Sequence, residues 1–339
     1  MIVELIILPL SLFLISLLLT WIIMKLAVKH SIVDVPNERS SHIIPTPRGG
    51  GLAIVVSWFT GITILFLTDN IESSLYFALL SGVLLAVVSL IDDIIDLSPY
   101  IRLLTQAVTA FLAFFFLDGI ESVEISGMNI ASRVILYPLA LVGIIWFINL
   151  FNFLDGIDGY ASLEAIIIAV VLLVFSSNLL NLLLIGSVAG FLFWNWPKAR
   201  IFMGDIGSTQ LGFIMVILGI YFHNQAKLSI VHWIMLSSLF WFDATLTLFR
   251  RWKNKEKLSV AHRKHAYQRA VQSGLTHQQT LFASAAINLI ITGLIFASKR
   301  FENLLIPALI INMVLLYLIT LIIDRKVPFP GESKKKNSF

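Results

Sequence analysis

The sequence predicts an all-α polytopic membrane protein, and three observations predict it. Of 339 residues, 58% are hydrophobic and only 13% charged, a balance that belongs to the membrane class rather than to soluble domains. Runs close to the roughly 20 helical residues needed to cross a bilayer core recur along nearly the whole chain. These runs are continuously apolar instead of alternating, which argues for helices over a transmembrane barrel.

Taken in order, about eleven spans are expected, at residues 3–25, 51–68, 74–91, 103–117, 133–149, 161–177, 179–195, 208–222, 230–249, 280–297 and 304–323. The first run lacks a basic leading region and is followed by Lys25 and Lys29 instead of a small-residue cleavage site, so it is expected to stay as a helix. An odd number of spans places the termini on opposite sides. Of the 24 lysines and arginines, twenty fall in one set of loops and in the tail, whereas Arg133, Lys227, Lys299 and Arg300 fall in the other. The positive-inside rule then puts the N-terminus outside and the C-terminus in the cytoplasm. Residues 1–323 read as a single multi-helix membrane domain, and 324–339 as a basic cytoplasmic tail that touches anionic lipid. The pI near 9.2 reflects this loop asymmetry, so no nucleic-acid partner is inferred. The absence of cysteine excludes disulfide and thiol chemistry. On the outer side, residues 118–132 contain VEISGMNI, a small hairpin expected to turn at Gly127.

The unusual polar sequences all lie on the cytoplasmic side. In PNERSSHIIPTPRGGG, residues 36–51, Arg39, His42 and Arg48 accompany three prolines and a glycine triplet. Glycine backbone approaches phosphate closely and arginine forks bind its oxygens; a plain positive-inside loop is the competing reading. SLIDDIIDLSPY, residues 89–100, ends the third span with Asp92, Asp93 and Asp96. On a helix, Asp92 and Asp96 share a face and can converge on one cation, while Ser98 and Pro99 suit the N-cap and first residue of the next helix. NLFNFLDGIDGY, residues 149–160, sets Asp155 and Asp158 at the seam between two apolar runs, where an unpartnered carboxylate is costly. Its glycines suggest a break, and Asn149 and Asn152 stand on the same three-residue ladder. IFMGDIGST, residues 201–209, places Asp205 just before a helix expected near Ser208, where free N–H groups can meet phosphate and the acid its metal. In the last loop, HRKHAYQR, residues 262–269, is expected to be helical, with His262, His265 and Arg269 on one stripe that can clamp a diphosphate or sugar. Arg263 and Lys264 would then turn toward headgroups, and a basic membrane-surface helix is the alternative.

PTPRGGG, DDIID, NFLDGIDGYAS, FMGDIGS and HRKHAYQR, in this order and on one face, resemble the polyprenyl-phosphate N-acetylhexosamine-1-phosphate transferase family over about residues 34–270. The peptidoglycan branch typically has a lysine at the position of Asp96 and a more histidine-rich last loop. The present pattern looks more like the branch that initiates O-antigen or capsule synthesis, often on 6-deoxy amino sugars. The resemblance implies transfer of a sugar 1-phosphate from a UDP-sugar to undecaprenyl phosphate, with release of UMP, in the bacterial inner membrane at its cytoplasmic face. It implies Mg²⁺, or Mn²⁺ in its place, and homodimers occur in the family.

By the same resemblance, Asp205 is a metal ligand. Asp92 or Asp93 prepares the lipid phosphate as base, or Asp92 acts as second metal ligand. Asp155 and Asp158 hold the nucleotide with Asn152 as hydrogen-bond partner, and Phe202 stacks on uracil. An aspartate nucleophile and direct lipid attack both suit this set. Three other classes compete with this reading. A cation-coupled transporter would place its acids near the midplane on related halves, which this chain lacks. A prenyltransferase would use DDIID as an aspartate-rich motif and leave the basic last loop without a role. An alcohol phosphatidyltransferase fits less well, because DGIDGYAS lacks that family's arginine and downstream aspartates.

Overall fold

The computed structural model describes residues 6–36, 44–258, 260 and 262–330. Arg39 and His42 of the first loop and the basic run 331–339 lie outside the described residues. The chain divides into two compact units, one of Met1–Asp34 with Pro45–Trp233 and one of Val35–Ile44 with Ile234–Phe339.

The first unit is built from α1 (Leu8–Lys29), α2 (Gly51–Leu67), α3 (Ser73–Leu80), α4 (Gly82–Ile95), α5 (Pro99–Phe116), α6 (Arg133–Leu154), α7 (Tyr160–Ser176), α8 (Leu179–Asn195) and α9 (Asp205–Asn224), and α10 (Ile230–Leu236) begins in it. Two short strands, β1 (Val33–Asp34) and β2 (Thr46–Pro47), pair antiparallel ahead of α2. The outer hairpin forms as expected from β3 (Val123–Ile125) and β4 (Met128–Ile130), with Ser126 and Gly127 both at positive φ, the backbone that a tight two-residue hairpin turn requires.

At the centre stands α9, buried without interruption from Ile206 to Phe222; α2, α4, α6 and α7 pack around it. Lipid gives helices little hydrophobic reason to associate, so close backbone approach through small residues has to supply the contact. Gly51 and Gly207 provide it between α2 and α9: a Cβ on Gly51 would lie 2.3 Å from the Gly207 Cα. Gly186 and Gly190, one turn apart on α8, do the same against the α1 backbone, where added Cβ atoms would meet Pro9 O at 2.5 Å and Phe13 O at 2.4 Å.

The second unit comprises α11 (Ser238–Lys253), α12 (Ala266–Gln272), α13 (His277–Arg300) and α14 (Leu305–Lys326). Thr276 caps α13, its hydroxyl accepting the Gln279 N–H while Gln279 reaches back to the Thr276 N–H, a reciprocal capping box. Inside the unit, Ser238 and Asn312 hydrogen-bond to one another across α11 and α14.

Nine of the expected spans each fall on one helix, whereas 74–91 falls on α3 with α4 and 230–249 on α10 with α11. Among the described residues, seven spans are long and apolar enough to cross a membrane, α3 with α4 counting as one, and α10 with α11, bent by 74° at their junction, make an eighth if taken as one span. The other three, α2, α7 and α8, have 17 residues each, about 25 Å at 1.5 Å per residue. Eleven crossings therefore require a locally thinned bilayer or flanking residues at those three. At the end of the last span, Asp324 is on α14, and Phe329 beyond it is 1% exposed, because its ring packs among side chains of the second unit.

Candidate active site

Acid residues gather where α4, α5 and α9 meet at one end of the first unit. The third span runs four residues beyond its expected limit, so Asp92 and Asp93 sit on the last turn of α4 and are each 7% exposed. Asp92 accepts the Leu97 N–H on Oδ1 at 2.6 Å and Arg102 Nη1 on Oδ2 at 3.1 Å. Asp93 accepts the Asp205 N–H on Oδ1 at 3.0 Å and the Ile206 N–H on Oδ2 at 3.2 Å. A helix N-terminus carries unpaired N–H groups and partial positive charge, and the Asp93 carboxylate satisfies two of those donors. Asp205, the first residue of α9, follows Gly204 at φ +77°. Its Oδ2 lies 3.8 Å from Arg102 Nη1.

Asp96 does not join this cluster. It ends α4 in the left-handed region at φ +52° and is exposed, so the expected convergence of Asp92 and Asp96 on one face is corrected by the helix stopping at Ile95. Pro99 begins α5 as expected, but Ser98 makes no side-chain capping bond.

The 46–51 and 201–204 loops zip together. Phe202 N–H donates to Pro47 O at 2.8 Å, Gly50 N–H to Phe202 O at 2.9 Å and Gly51 N–H to Met203 O at 2.8 Å. The amides of Gly50 and Gly51 are thus engaged by protein carbonyls. Arg48 donates to the Asp93 carbonyl oxygen and ties the same loop to α4. Phe202 is half-buried at this seam.

The opposite wall is the break between α6 and α7. The helix ends at Leu154, Asp155 to Gly159 form the turn, and Gly159 at φ +73° precedes α7. Asn195 at the end of α8 fixes this turn to the next loop by accepting the Gly159 N–H at 2.9 Å and donating to Ile201 O at 2.9 Å. Asp158 accepts the Ala199 N–H at 3.1 Å. Asn152 donates to Ser208 Oγ at 3.2 Å and also lies against the Asp205 carboxylate. Asn149 faces elsewhere, exchanging hydrogen bonds with Gln106 at 2.7 and 3.3 Å.

Loss of water by burial raises the pKa of Asp155 well above the usual carboxylate value, and repulsion from Asp205, Asp93 and Asp158 adds to it. Five carboxylates share this region with the guanidiniums of Arg48 and Arg102. Oxygen donors and an excess of negative charge are what a hard divalent cation requires. Among the described residues, no three such side chains converge on one point. The expected metal pair of Asp205 and Asp92 is altered by Arg102, which takes an Asp92 oxygen; Asp205 and Asp155 are the carboxylates whose donor chemistry fits best.

HRKHAYQR belongs to the second unit and is not one helix. Residues 262–265 are irregular and α12 starts at Ala266, because Asp243 on α11 accepts the N–H groups of Ala266 at 2.7 Å and Tyr267 at 3.2 Å. The expected stripe is therefore broken. Arg269 is 1% exposed and turned inward, donating to Asp324, to Val327 O at 3.0 Å and to Lys264 O at 3.1 Å; its expected place on a substrate phosphate is corrected. Lys264 pairs with Glu256 at 2.7 Å rather than turning to headgroups. His265 is 2% exposed with Nδ1 3.6 Å from Asp243 Oδ1, and the His262 ring lies 4.9 Å from the His265 ring. His262 is half-buried; burial first, then the charges of His265, Arg251 and Lys264, push its pKa down to about 3, so it is neutral at physiological pH.

Sequence reasoning missed Arg102, Asn195, Asp243 and Asp324. Asp243 carried a usable signal, being the one acid inside the apolar run 230–249, and intramembrane acids are functional or paired by default.

Residues 75–223 match glycosyl transferase family 4. A probable undecaprenyl-phosphate N-acetylglucosaminyl 1-phosphate transferase of Bacillus subtilis (strain 168) is 32% identical over 295 residues, covering 81% of this chain and 79% of the relative. An undecaprenyl-phosphate alpha-N-acetylglucosaminyl 1-phosphate transferase of Thermotoga maritima is 32% identical over 204 residues, 58% of this chain and 60% of its own. A phospho-N-acetylmuramoyl-pentapeptide-transferase of Streptococcus pneumoniae (strain Hungary19A-6) is 30% identical over 207 residues, 55% and 62% of the two chains. With four-fifths of the Bacillus relative covered at this identity, the chain belongs to glycosyl transferase family 4, the polyprenyl-phosphate N-acetylhexosamine-1-phosphate transferases.

Proposed function

We propose that the protein transfers an N-acetylated sugar 1-phosphate from a UDP-sugar to undecaprenyl phosphate at the cytoplasmic face of the bacterial inner membrane, releasing UMP and initiating a surface polysaccharide such as O-antigen. The observation that carries this reading is the Asp93 clamp, which holds Asp205 at the start of α9 beside Arg102 and across from the Asp155 turn. Two of the relatives are named for N-acetylglucosamine, which favours that sugar over the 6-deoxy sugars suggested by HRKHAYQR.

In the reaction, an oxygen of the lipid phosphate bonds to the phosphorus bearing the sugar while the bond from that phosphorus to the UMP oxygen breaks, and the electron pair leaves with UMP. Both partners are anionic, so positioning and charge neutralisation dominate the barrier. Mg²⁺, or Mn²⁺, held by Asp205 and Asp155 with Asp92 near, would neutralise the diphosphate. Asp93 has both oxygens engaged by backbone N–H groups, and Asp92 has both engaged by Leu97 and Arg102. This favours direct attack over an aspartyl intermediate, and the lipid phosphate, already ionised at neutral pH, needs no strong base. Asp158 and Asn152 shape the nucleotide side and Phe202 stacks on uracil; of the two histidines the motif resemblance assigns to the donor, half-buried His262 keeps that role, whereas His265 is 2% exposed and turned to Asp243.

A prenyltransferase reading requires Asp92 and Asp96 on one face, and the left-handed, exposed Asp96 speaks against it. The test is UMP release by purified protein, with UDP-N-acetylglucosamine, UDP-N-acetylfucosamine and UDP-N-acetylquinovosamine in parallel. Release that needs both undecaprenyl phosphate and Mg²⁺ is expected; release without the lipid, or none with any donor, overturns the proposal.

A further inference from the structure

The second unit holds a charge cluster that the reaction as described does not use. Asp324 on α14 receives Arg250 of α11 in a two-pronged pair, Nη1 to Oδ1 at 3.1 Å and Nη2 to Oδ2 at 2.7 Å, and receives Arg269 of α12 as well. One carboxylate thus joins three helices. Just beyond α14, the Phe329 ring is buried among three cations: Arg250 at 5.3 Å, Arg269 at 5.4 Å and Lys264 at 5.9 Å from its centroid. Cations within about 6 Å of an aromatic face are attracted to it, more strongly where water is excluded.

The same groups reach the irregular segment that carries the histidines. Lys264, two residues after His262 and next to His265, donates its N–H to His262 Nδ1 at 3.2 Å and its ammonium to Glu256 at 2.7 Å. Its carbonyl accepts Arg269 Nε. Arg251 gathers the preceding stretch, donating to the carbonyls of Lys257, Leu258 and Val260 and to Glu256. Residues 327–330 close the arrangement: Val327 O accepts Arg269 and Pro330 O accepts Asn254 Nδ2 at 3.1 Å. Irregular backbone with few apolar anchors would otherwise sample many conformations, at an entropic cost when a ligand orders it.

We propose that Phe329 and Asp324 are positioning residues for the donor-binding His262, the segment 327–330 acting as a clasp that fixes residues 254–258 and 262–265 against α12. This rests on the reading of His262 as a donor contact. Neither residue touches substrate; Phe329 acts through Lys264, Arg250 and Arg269, and Asp324 through Arg250 and Arg269. Leucine at 329 keeps apolar bulk and loses the aromatic face, whereas tyrosine keeps the face.

The experiment measures kcat and KM for each substrate, with thermal midpoints and tryptic cleavage at Lys255 and Lys257, on detergent-purified wild type, Phe329→Leu, Phe329→Tyr, Asp324→Asn and Asp324→Glu. Phe329→Leu is expected to raise the donor KM and the cleavage rate about tenfold, as the loss of two or three cation–π contacts allows. The KM for undecaprenyl phosphate and the midpoint should stay put, Phe329→Tyr should remain within about twofold of wild type, and Asp324→Glu should recover part of what Asp324→Asn loses. Faster cleavage with an unchanged donor KM would reduce the clasp to a structural tie and overturn the proposal. So would leucine and tyrosine behaving alike, or cleavage in Phe329→Leu at the wild-type rate. Wild type that releases no UMP from any donor would instead refute the proposed function, and the cleavage comparison would still decide whether the clasp exists.

Discussion

Asp93 accepts the backbone N–H of Asp205 at 3.0 Å, so an acid at the end of α4 caps a helix that begins 112 residues later. Its second oxygen takes the next N–H, from Ile206. Asp243 makes the same pair of bonds to Ala266 and Tyr267 within the second unit. In both places a helix start bearing a candidate functional residue is set by a carboxylate distant in sequence.

Asparagine at 93 would keep one acceptor and turn an NH₂ group toward a backbone N–H. Asp93→Asn is therefore expected to lose about 2 kcal/mol of stability, the cost of a charge-assisted cap, together with most turnover. Asp205→Asn should lose turnover at nearly unchanged stability, because no backbone bond depends on its carboxylate. Thermal midpoints and UMP release on both variants check this; a stable Asp93→Asn with normal turnover would leave the clamp without a role.

Gly51 and Gly207 offer a test of packing alone. A methyl at Gly51 meets backbone at 2.3 Å and 2.5 Å, which no side-chain rotation relieves. Gly51→Ala should cost about 3 kcal/mol, at the upper end of overpacking penalties, and lower the yield of folded protein. Gly143→Ala, with open space around the new Cβ, is the matched control and should fold normally. Equal yields would show that α2 and α9 can separate slightly at no cost.

The helices were legible because lipid demands long apolar runs, and the hairpin at Gly127 because positive φ selects its residues. The motifs DDIID and FMGDIGS pointed to a site, but the division of labour inside them did not show. Asp92, Asp93 and Asp96 are indistinguishable on a helical wheel until the helix stops at Ile95; then one binds arginine, one caps α9 and one faces out. HRKHAYQR misled for the reverse reason. Its spacing suits a stripe, yet Asp243 and Asp324, supplied from other helices, start the helix late and draw Arg269 inward. Pairings of this kind depend on tertiary contacts that local periodicity does not encode.

Topology follows from the twenty-to-four distribution of basic residues. A reporter fused after Gln225 should read as outside, and one after Lys255 as cytoplasmic. The first position follows α9 and the second follows α11, so the α10–α11 pair would have to cross between them. The same compartment for both fusions would refute that crossing and reopen the count of spans.

Asp155 makes the sharpest prediction because its charge is costly in the free protein and useful only with a cation. Burial, then the neighbouring Asp205, Asp93 and Asp158, raise its pKa well above the ordinary value, about 3.9 in an unfolded chain. A native carboxyl with a raised pKa binds its proton more tightly than the unfolded chain does. Its stabilising contribution is therefore full below about pH 3.9 and is lost as pH climbs through the native value. Without divalent cation, the wild-type midpoint should fall as pH rises through that window. Asp155→Asn removes the titration, so in EDTA at pH 7.5 it should melt roughly 2–4 °C above wild type, the shift given by about 1 kcal/mol in a domain of some 200 residues. Mg²⁺ should then raise the wild-type midpoint, since ligands that bind only the native state stabilise it by mass action, and should raise that of Asp155→Asn much less. Turnover should move the opposite way, falling by at least about a hundredfold in the variant. Each arm has its own reading: a variant no more stable than wild type in EDTA would remove the repulsion argument, and an equal response to Mg²⁺ would remove Asp155 from the cation site while leaving Asp205 in it.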